Sequence, residues 1–282
     1  MSEGGQHKAI LAVDTALGAC SVAVLEDGAI LAHRFQEMTR GHAEALAPMV
    51  DETMRQAGIA FGALDRLAVT TGPGTFTGQR VGLAFMRGLR VGLKKPLIGV
   101  TTLEAMAAAT GKNRAAAIHD AKRDEAYLSL WENGAAILAP VVMSFADAVA
   151  RIRSFGSCAL CGTGAEKAGE ALGPDFAVTD IRQPDALWVA RLAITRPIPD
   201  LPPAPLYLRA PDAKLPGEHR PGKVEARAAG EPGSRPDVRP NTGSNGQEKC
   251  EAVFRPDVRP NTGSNGQEKC EAVFRPDVRP NK

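Results

Sequence analysis

Residues 66–93 constrain the fold more than any other stretch of this chain: RLAVTT, then GPGTFTGQR, then VGLAFMRGLRVGL. An apolar run ending in a Gly-Pro-Gly turn before a helix start reads as a strand joined to a helix. Gly72 and Gly74, on either side of Pro73, let the backbone approach a ligand or another chain segment closely. Thr75 or Thr77 can cap a helix beginning near Gly78. Strand, glycine turn and helix N-terminus together can form an anion site. A capped helix start with no ligand accounts for the same residues equally well. The helix over 78–93 carries Val81, Leu83, Phe85, Met86, Leu89, Val91 and Leu93 and leaves almost no polar face. That predicts burial, against the domain's own sheet or against a second subunit. Gly82, Gly88 and Gly92 allow close backbone packing, at a cost of about 1 kcal/mol each relative to Ala.

The flanking segments supply the rest of an α/β unit. Residues 8–13 read as a strand ending at Asp14-Thr15, and Gly18 turns the chain into a second strand over 20–25. Asp27-Gly28 is a hairpin signal leading to a third strand over 29–35. Leu46, Met49, Val50, Thr53, Met54 and Ala57 lie on one face of a helix over 41–57, which Gly58 stops. After the glycine turn and its helix come a strand at 96–100 and a helix at 101–110. In the remainder, 115–119 and 125–131 read as strands, 144–153 and 163–172 as helices. Between those helices Cys158–Cys161 forms a short apolar strand that enters Gly162-Thr163-Gly164, a second glycine turn. Glu125 and Tyr127 share one face of their strand, which suits either a contact with another lobe or partner or a salt-bridged hairpin edge.

Composition narrows the class. Lys and Arg number 34 and Asp and Glu 32, a formal charge of +2, which argues against a protein that grips nucleic acid chiefly through its net field. No apolar run is long enough for a membrane span, and neither the N-terminus nor the five cysteines suggest secretion, so a cytoplasmic location is expected. The charge is unevenly placed. A 20-residue unit, RPDVRPNTGSNGQEKCEAVF, occupies 235–254 and recurs unchanged at 255–274. Residues 220–282 hold 12 basic and 9 acidic side chains, leaving 22 basic and 23 acidic in residues 1–219. So Pro- and Gly-rich a segment cannot bury enough apolar surface to offset its ordering entropy, which predicts a disordered low-complexity tail.

Taken in order, ILAVDTALGACSVAVLEDG, RGHAEALAPMVDE, AVTTGPGTFTGQRVGLAFMRGL, PLIGVTTLEA and DAKRDEAY resemble the TsaB family, as does LYLRAPDAK at 206–214. This is the YeaZ-like dimerisation subunit of the bacterial machinery that makes threonylcarbamoyladenosine in tRNA. The resemblance covers about residues 8–215. In the glycine turn Thr75 stands where the family has Ser, and Gln79 where it has an apolar Leu. The resemblance implies a two-lobed actin-like, sugar-kinase and heat-shock-ATPase (ribonuclease H-like) α/β fold. Its first lobe would be 8–112 and its smaller second lobe 113–215.

The catalytic paralogue, TsaD, shares the fold but carries an H-L-E-G-H segment whose histidines bind a metal. Here Thr102 and Met106 stand at those places, and neither can replace imidazole on a catalytic cation. His7, His33, His42, His119 and His219 are scattered, so no metal site, no protease motif and no catalytic residue is expected in this chain. The resemblance therefore implies a non-catalytic scaffold that docks on a TsaD-like threonylcarbamoyltransferase, with a TsaE-like ATPase joining the cycle and tRNA engaged indirectly. His42, Leu46, Met49, Val81, Phe85 and Leu89 are the implied partner contacts, and a homodimer through the same helices is the expectation for the isolated chain. Asp14, Thr15, Gly72, Gly74, Thr75, Gly78, Gly162 and Gly164 read as a vestigial nucleotide or anion loop. No tightly bound cofactor is expected, and ATP or ADP would touch the chain only at an interface shared with a partner. The alternative is a small-molecule kinase or ATPase of the same superfamily, which predicts ATP turnover that depends on Asp14.

Overall fold

A computed structural model describes residues 8–209; the repeat-bearing segment 220–282, expected to be disordered, lies outside the described residues, as do residues 210–215 of the expected second lobe. The first lobe opens with three antiparallel strands, β1 (Ala9–Asp14), β2 (Ala19–Glu26) and β3 (Ala29–Glu37). Asp27 and Gly28 both adopt positive φ in the turn between the last two, as the hairpin signal requires. Helix α1 (His42–Ala57) ends on Gly58 in the left-handed region at φ 71°, the stop read from the sequence. β4 (Arg66–Thr70), α2 (Phe76–Leu93), β5 (Leu97–Val100) and α3 (Thr102–Ala109) follow. β4 and β5 run parallel to β1, giving a sheet in the order β3-β2-β1-β4-β5.

The second lobe repeats that plan. β6 (Arg114–Lys122), β7 (Glu125–Glu132) and β8 (Ala135–Ser144) form an antiparallel meander. After α4 (Phe145–Phe155) come β9 (Ala159–Cys161), α5 (Ala165–Leu172) and the short β10 (Ala177–Val178), the two strands running parallel to β6. The sheet order is β8-β7-β6-β9-β10, strand for strand the arrangement of the first sheet. Two such five-stranded units make the two-lobed actin-like, ribonuclease H-like fold.

One boundary is corrected. The second lobe was expected to run to residue 215, but α6 (Ala186–Ala193) returns to the first sheet. Ala186, Val189, Ala190 and Ala193 pack on Ile10, Ala12, Ala23 and Ile98, opposite the face that takes α1 and α2. Polar contacts fix the return. The Ala186 amide donates to Ser21 Oγ at 2.8 Å, His33 Nε2 meets Asp185 Oδ1 at 2.8 Å, and Arg66 Nη1 donates to the Arg196 carbonyl at 2.6 Å. A sheet whose strands are buried on both faces needs a layer on each side. α3 and α6 together supply the second one. Among the described residues no helix is long and apolar enough to cross a membrane.

Candidate functional site: helix face, glycine turns and cleft

Helices α1 and α2 lie on one face of the first sheet. Leu46, Val50, Thr53 and Met54 turn inward from α1; Gly78, Gln79, Gly82, Leu83 and Met86 turn inward from α2. Burial of α2 is therefore one-sided within this chain. Leu46, named as a partner contact, is only 1% exposed and belongs to the core, because its position in the helical turn aims it at the sheet. Met49, Val81, Phe85 and Leu89 are half-buried against that core, and His42 is half-buried at the start of α1. Beyond its first turn, the exposed residues of α2 are ones not named as partner contacts: Arg80, Ala84, Arg87, Gly88, Val91 and Gly92. Val91 is 70% exposed, and a Cβ on Gly88 or Gly92 would meet nothing within 4 Å. No Asp or Glu occurs anywhere in α2. The signal for this outer face was present in the sequence as the i, i+4, i+8 spacing of Ala84, Gly88 and Gly92.

The glycine turn is tightly closed by its own chain. Thr75 caps α2, its Oγ1 accepting from the Gly78 amide at 3.1 Å, so the helix begins at Phe76 rather than near Gly78. The Thr75 amide donates to the Ala16 carbonyl at 2.9 Å, and Thr15 Oγ1 donates to the Gly78 carbonyl at 2.8 Å. A Cβ on Gly74 would lie 2.3 Å from the Ala16 oxygen, and one on Gly78 would lie 2.2 Å from the Thr15 oxygen. At φ 106° Gly72 takes a backbone conformation that L side chains rarely adopt, with the Gln79 amide over it. The second turn has the same construction: the Gly164 amide donates to the Ile118 carbonyl, against which a Cβ on Gly162 would lie at 2.1 Å. These glycines fit loop onto strand end, and the amides of Thr75, Gly78, Gly162 and Gly164 all have partners inside the fold.

Asp14, the last residue of β1, is completely buried. Its Oδ1 accepts from Thr70 Oγ1 at 2.5 Å and from the Ala16 amide at 3.2 Å, while Oδ2 has no hydrogen-bond partner. Burial pushes this carboxyl up to about 7, with the Thr70 hydrogen bond opposing the rise. A carboxyl so enclosed is not placed to meet a metal–nucleotide complex in solvent. The paralogue's metal site does not fit these residues either. Thr102 Oγ1 donates to the Pro73 carbonyl at 2.6 Å, and Met106 is fully buried among Leu103, Ala117 and Cys161. Cys158 and Cys161 are buried free thiols. Burial pushes Cys158 up to about 11 and Cys161 higher still, which opposes thiolate chemistry.

Between the two sheets lies a cleft of about 760 Å³. The first lobe contributes Leu17, Gly18, Pro73, Phe76 and Gln79; the second contributes His119, Asp120, Lys122, Tyr127 and Thr163. Leu206, Tyr207, Leu208 and Arg209 close one side. Phe76 and Tyr207 stack with centroids 5.7 Å apart, and the Arg80 guanidinium stands 3.5 Å above the Phe76 ring. Glu125 pairs with Arg209, and Tyr127, on the same face of β7, lines the cleft.

Residues 30–172 match the family model described as TsaD: tRNA N6-adenosine threonylcarbamoyltransferase. The chain is 40% identical over 132 residues to the tRNA threonylcarbamoyladenosine biosynthesis protein TsaB of Escherichia coli, covering 44% of this chain and 57% of that one. The Haemophilus influenzae protein of the same name is 40% identical over 129 residues and 54% covered, so the chain spans little more than half the length of these two relatives. An uncharacterised protein of Mycobacterium tuberculosis is 32% identical over 211 residues, 74% of this chain and 95% of that one. Among solved structures, YeaZ from Pseudomonas aeruginosa is 31% identical with a TM-score of 0.57, covering 66% of this chain and 90% of that one.

Proposed function

The chain belongs to the TsaB (YeaZ) family, and from that premise we propose that it is a non-catalytic docking subunit for a TsaD-like threonylcarbamoyltransferase. The observation that carries this reading is the outer face of α2. Ala84, Gly88 and Gly92 leave a track of minimal side chains beside Val91, on a helix without a single carboxylate. A partner helix can approach such a track closely, burying Val91 and the half-exposed Phe85 and Leu89 without stranding an anion. In isolation the same face pairs with a second copy of the chain.

The partner supplies the metal and the groups that transfer threonylcarbamoyl to a tRNA adenosine, a TsaE-like ATPase acts on the pair, and tRNA reaches this chain only through the assembly. In the two glycine turns the amides of Thr75, Gly78, Gly162 and Gly164 are engaged within the fold and Asp14 is enclosed, which supports a chain without phosphate chemistry of its own. Any ATP or ADP contact then belongs to a surface shared with a partner. Reconstitution tests the reading: the cognate TsaD-like enzyme, its ATPase and threonylcarbamoyl-adenylate should modify tRNA only when this chain is added, and Asp14→Asn should support the reaction as well as wild type. Full activity without the chain, or ATP turnover by the purified chain that Asp14→Ala abolishes, would defeat it.

A further inference from the structure

The C-terminal end of α2 forms one wall of a second concavity, a groove of about 420 Å³ on the first lobe. Arg90, Val91, Lys94 and Lys95 line that wall; Ile198 and Leu201, from the segment after α6, line the other. The second wall is built in advance. Residues 197–205 hold five prolines, whose fixed φ stiffens the segment. Arg87 Nη2 donates to the Pro203 carbonyl at 2.6 Å, Arg196 Nη1 donates to the Gly99 carbonyl at 2.9 Å, and a Cβ on Gly99 would lie 2.7 Å from Pro203 Cβ. Arg66, Arg87 and Arg196 thus have acceptors within the fold. Arg90, Lys94 and Lys95 have no ion pair or side-chain hydrogen bond among the described residues. No Asp or Glu lines the groove, although Asp200 neighbours Leu201 in the chain. The C-terminal end of a helix attracts cations, which accounts for their placement. It does not account for Val91, Ile198 and Leu201 beside them, exposed by 70%, 59% and 78%.

We infer that this groove is a docking site for an acidic peptide segment of another protein, one that carries aliphatic side chains between its carboxylates. Three cations without partners on one wall match carboxylates in charge. Burial of Val91, Ile198 and Leu201 calls for aliphatic groups alongside those carboxylates. The prolines and hydrogen bonds that hold residues 197–205 leave little of that wall to be ordered on binding. An RNA strand fits less well: no Phe, Tyr or Trp lines the groove to stack a base, and phosphates would leave the aliphatic groups in water. A bilayer is disfavoured by shape, because walls on both sides admit a chain but not a plane. Through Val91 the groove is continuous with the outer face of α2. The inference does not rest on the docking role, since its cations and its second wall are not part of that face.

Fluorescence anisotropy of a labelled peptide, Glu-Glu-Leu-Glu-Pro-Leu-Glu-Glu, titrated with the full chain tests it. The peptide should bind saturably, and less tightly as salt is raised. Replacing its leucines by serine, or its glutamates by lysine, should remove binding. Lys94→Glu should weaken the complex about tenfold, and Leu201→Ser about fivefold. Both side chains are exposed, so both variants should unfold at the wild-type midpoint. Absence of saturable binding would overturn the inference, as would equal affinity for the serine-substituted peptide or unchanged affinity in both variants. So would tighter binding of a U-rich oligoribonucleotide, or of phosphatidylglycerol vesicles, that Lys94→Glu abolishes.

Discussion

A Cβ placed on Gly78 would lie 2.2 Å from the carbonyl oxygen of Thr15, a separation that real side chains do not tolerate. The first turn of α2 is thus seated directly on the chain leaving β1, and the glycine is there for proximity. Gly88, one helix face away, has open space where its side chain would be. The two glycines should respond oppositely to the same change. Gly78→Ala should cost about 1–3 kcal/mol through overpacking, while Gly88→Ala should gain about 0.5–1 kcal/mol through backbone entropy and helix propensity. Urea denaturation of the two variants checks this, and a destabilised Gly88→Ala would mean that the outer face of α2 is not free.

The buried carboxyl of Asp14 sets a pH dependence with a definite sign. Its folded-state value, about 7, stands above the ordinary 3.8, so the folded protein holds the proton more tightly than the unfolded one. That contribution is complete below about pH 4 and is lost as pH rises through 7, at up to about 1.4 kcal/mol per unit. Asp14→Asn keeps an Oδ1 acceptor for Thr70 and for the Ala16 amide but has no proton to lose. Wild type should therefore lose stability relative to Asp14→Asn as pH rises from 4 to 8. A difference independent of pH would show that Asp14 ionises as freely as a surface carboxylate.

His119 acts in the other direction. Its folded value near 4 lies below the ordinary 6.5, so the neutral ring is favoured and stability is lost as pH falls from 6.5 towards 4. Its ring-proton resonances should stay constant from pH 8 to about pH 5. A midpoint near 6.5 would place the ring in solvent rather than in the base of the cleft.

Asp185 ties α6 to the first sheet from two directions. Its Oδ1 accepts from the Leu187 amide at 2.9 Å as an N-cap and lies 2.8 Å from His33 Nε2 on β3. Asp185→Ala should cost about 1–2 kcal/mol in chemical denaturation, and His33→Ala in the same background should add less than it costs alone. Strict additivity would mean that the two side chains do not share an interaction.

Local patterns carried most of the fold. Asp27-Gly28 and Gly58 marked a turn and a helix end that depend only on backbone conformation, and both fall where expected. Strand β8 went unread although Asn133-Gly134, both at positive φ, announces the hairpin before it. α6 was harder for a different reason. Asp185 before Ala186 is a visible helix start, but which sheet the helix covers is decided by long-range contacts such as Ala186–Ser21. The same limit applies to the candidate contacts. The spacing of Leu46, Met49 and Val50 identifies an apolar face without saying that it turns toward the chain's own sheet. At Gln79 the substitution was legible, while the burial that leaves its oxygen unpaired was not.

Binding of the cognate TsaD-like protein, measured by sedimentation velocity on wild type and on Gly88→Arg, tests the central claim most directly. Gly88 is exposed with empty space around it, so the arginine should leave the thermal unfolding midpoint at or slightly above that of wild type, as for Gly88→Ala. The docking account predicts a stoichiometric complex for wild type and none for Gly88→Arg at the same concentrations. An equally tight complex formed by the variant would contradict it, since the partner would then be seated somewhere other than on the outer face of α2.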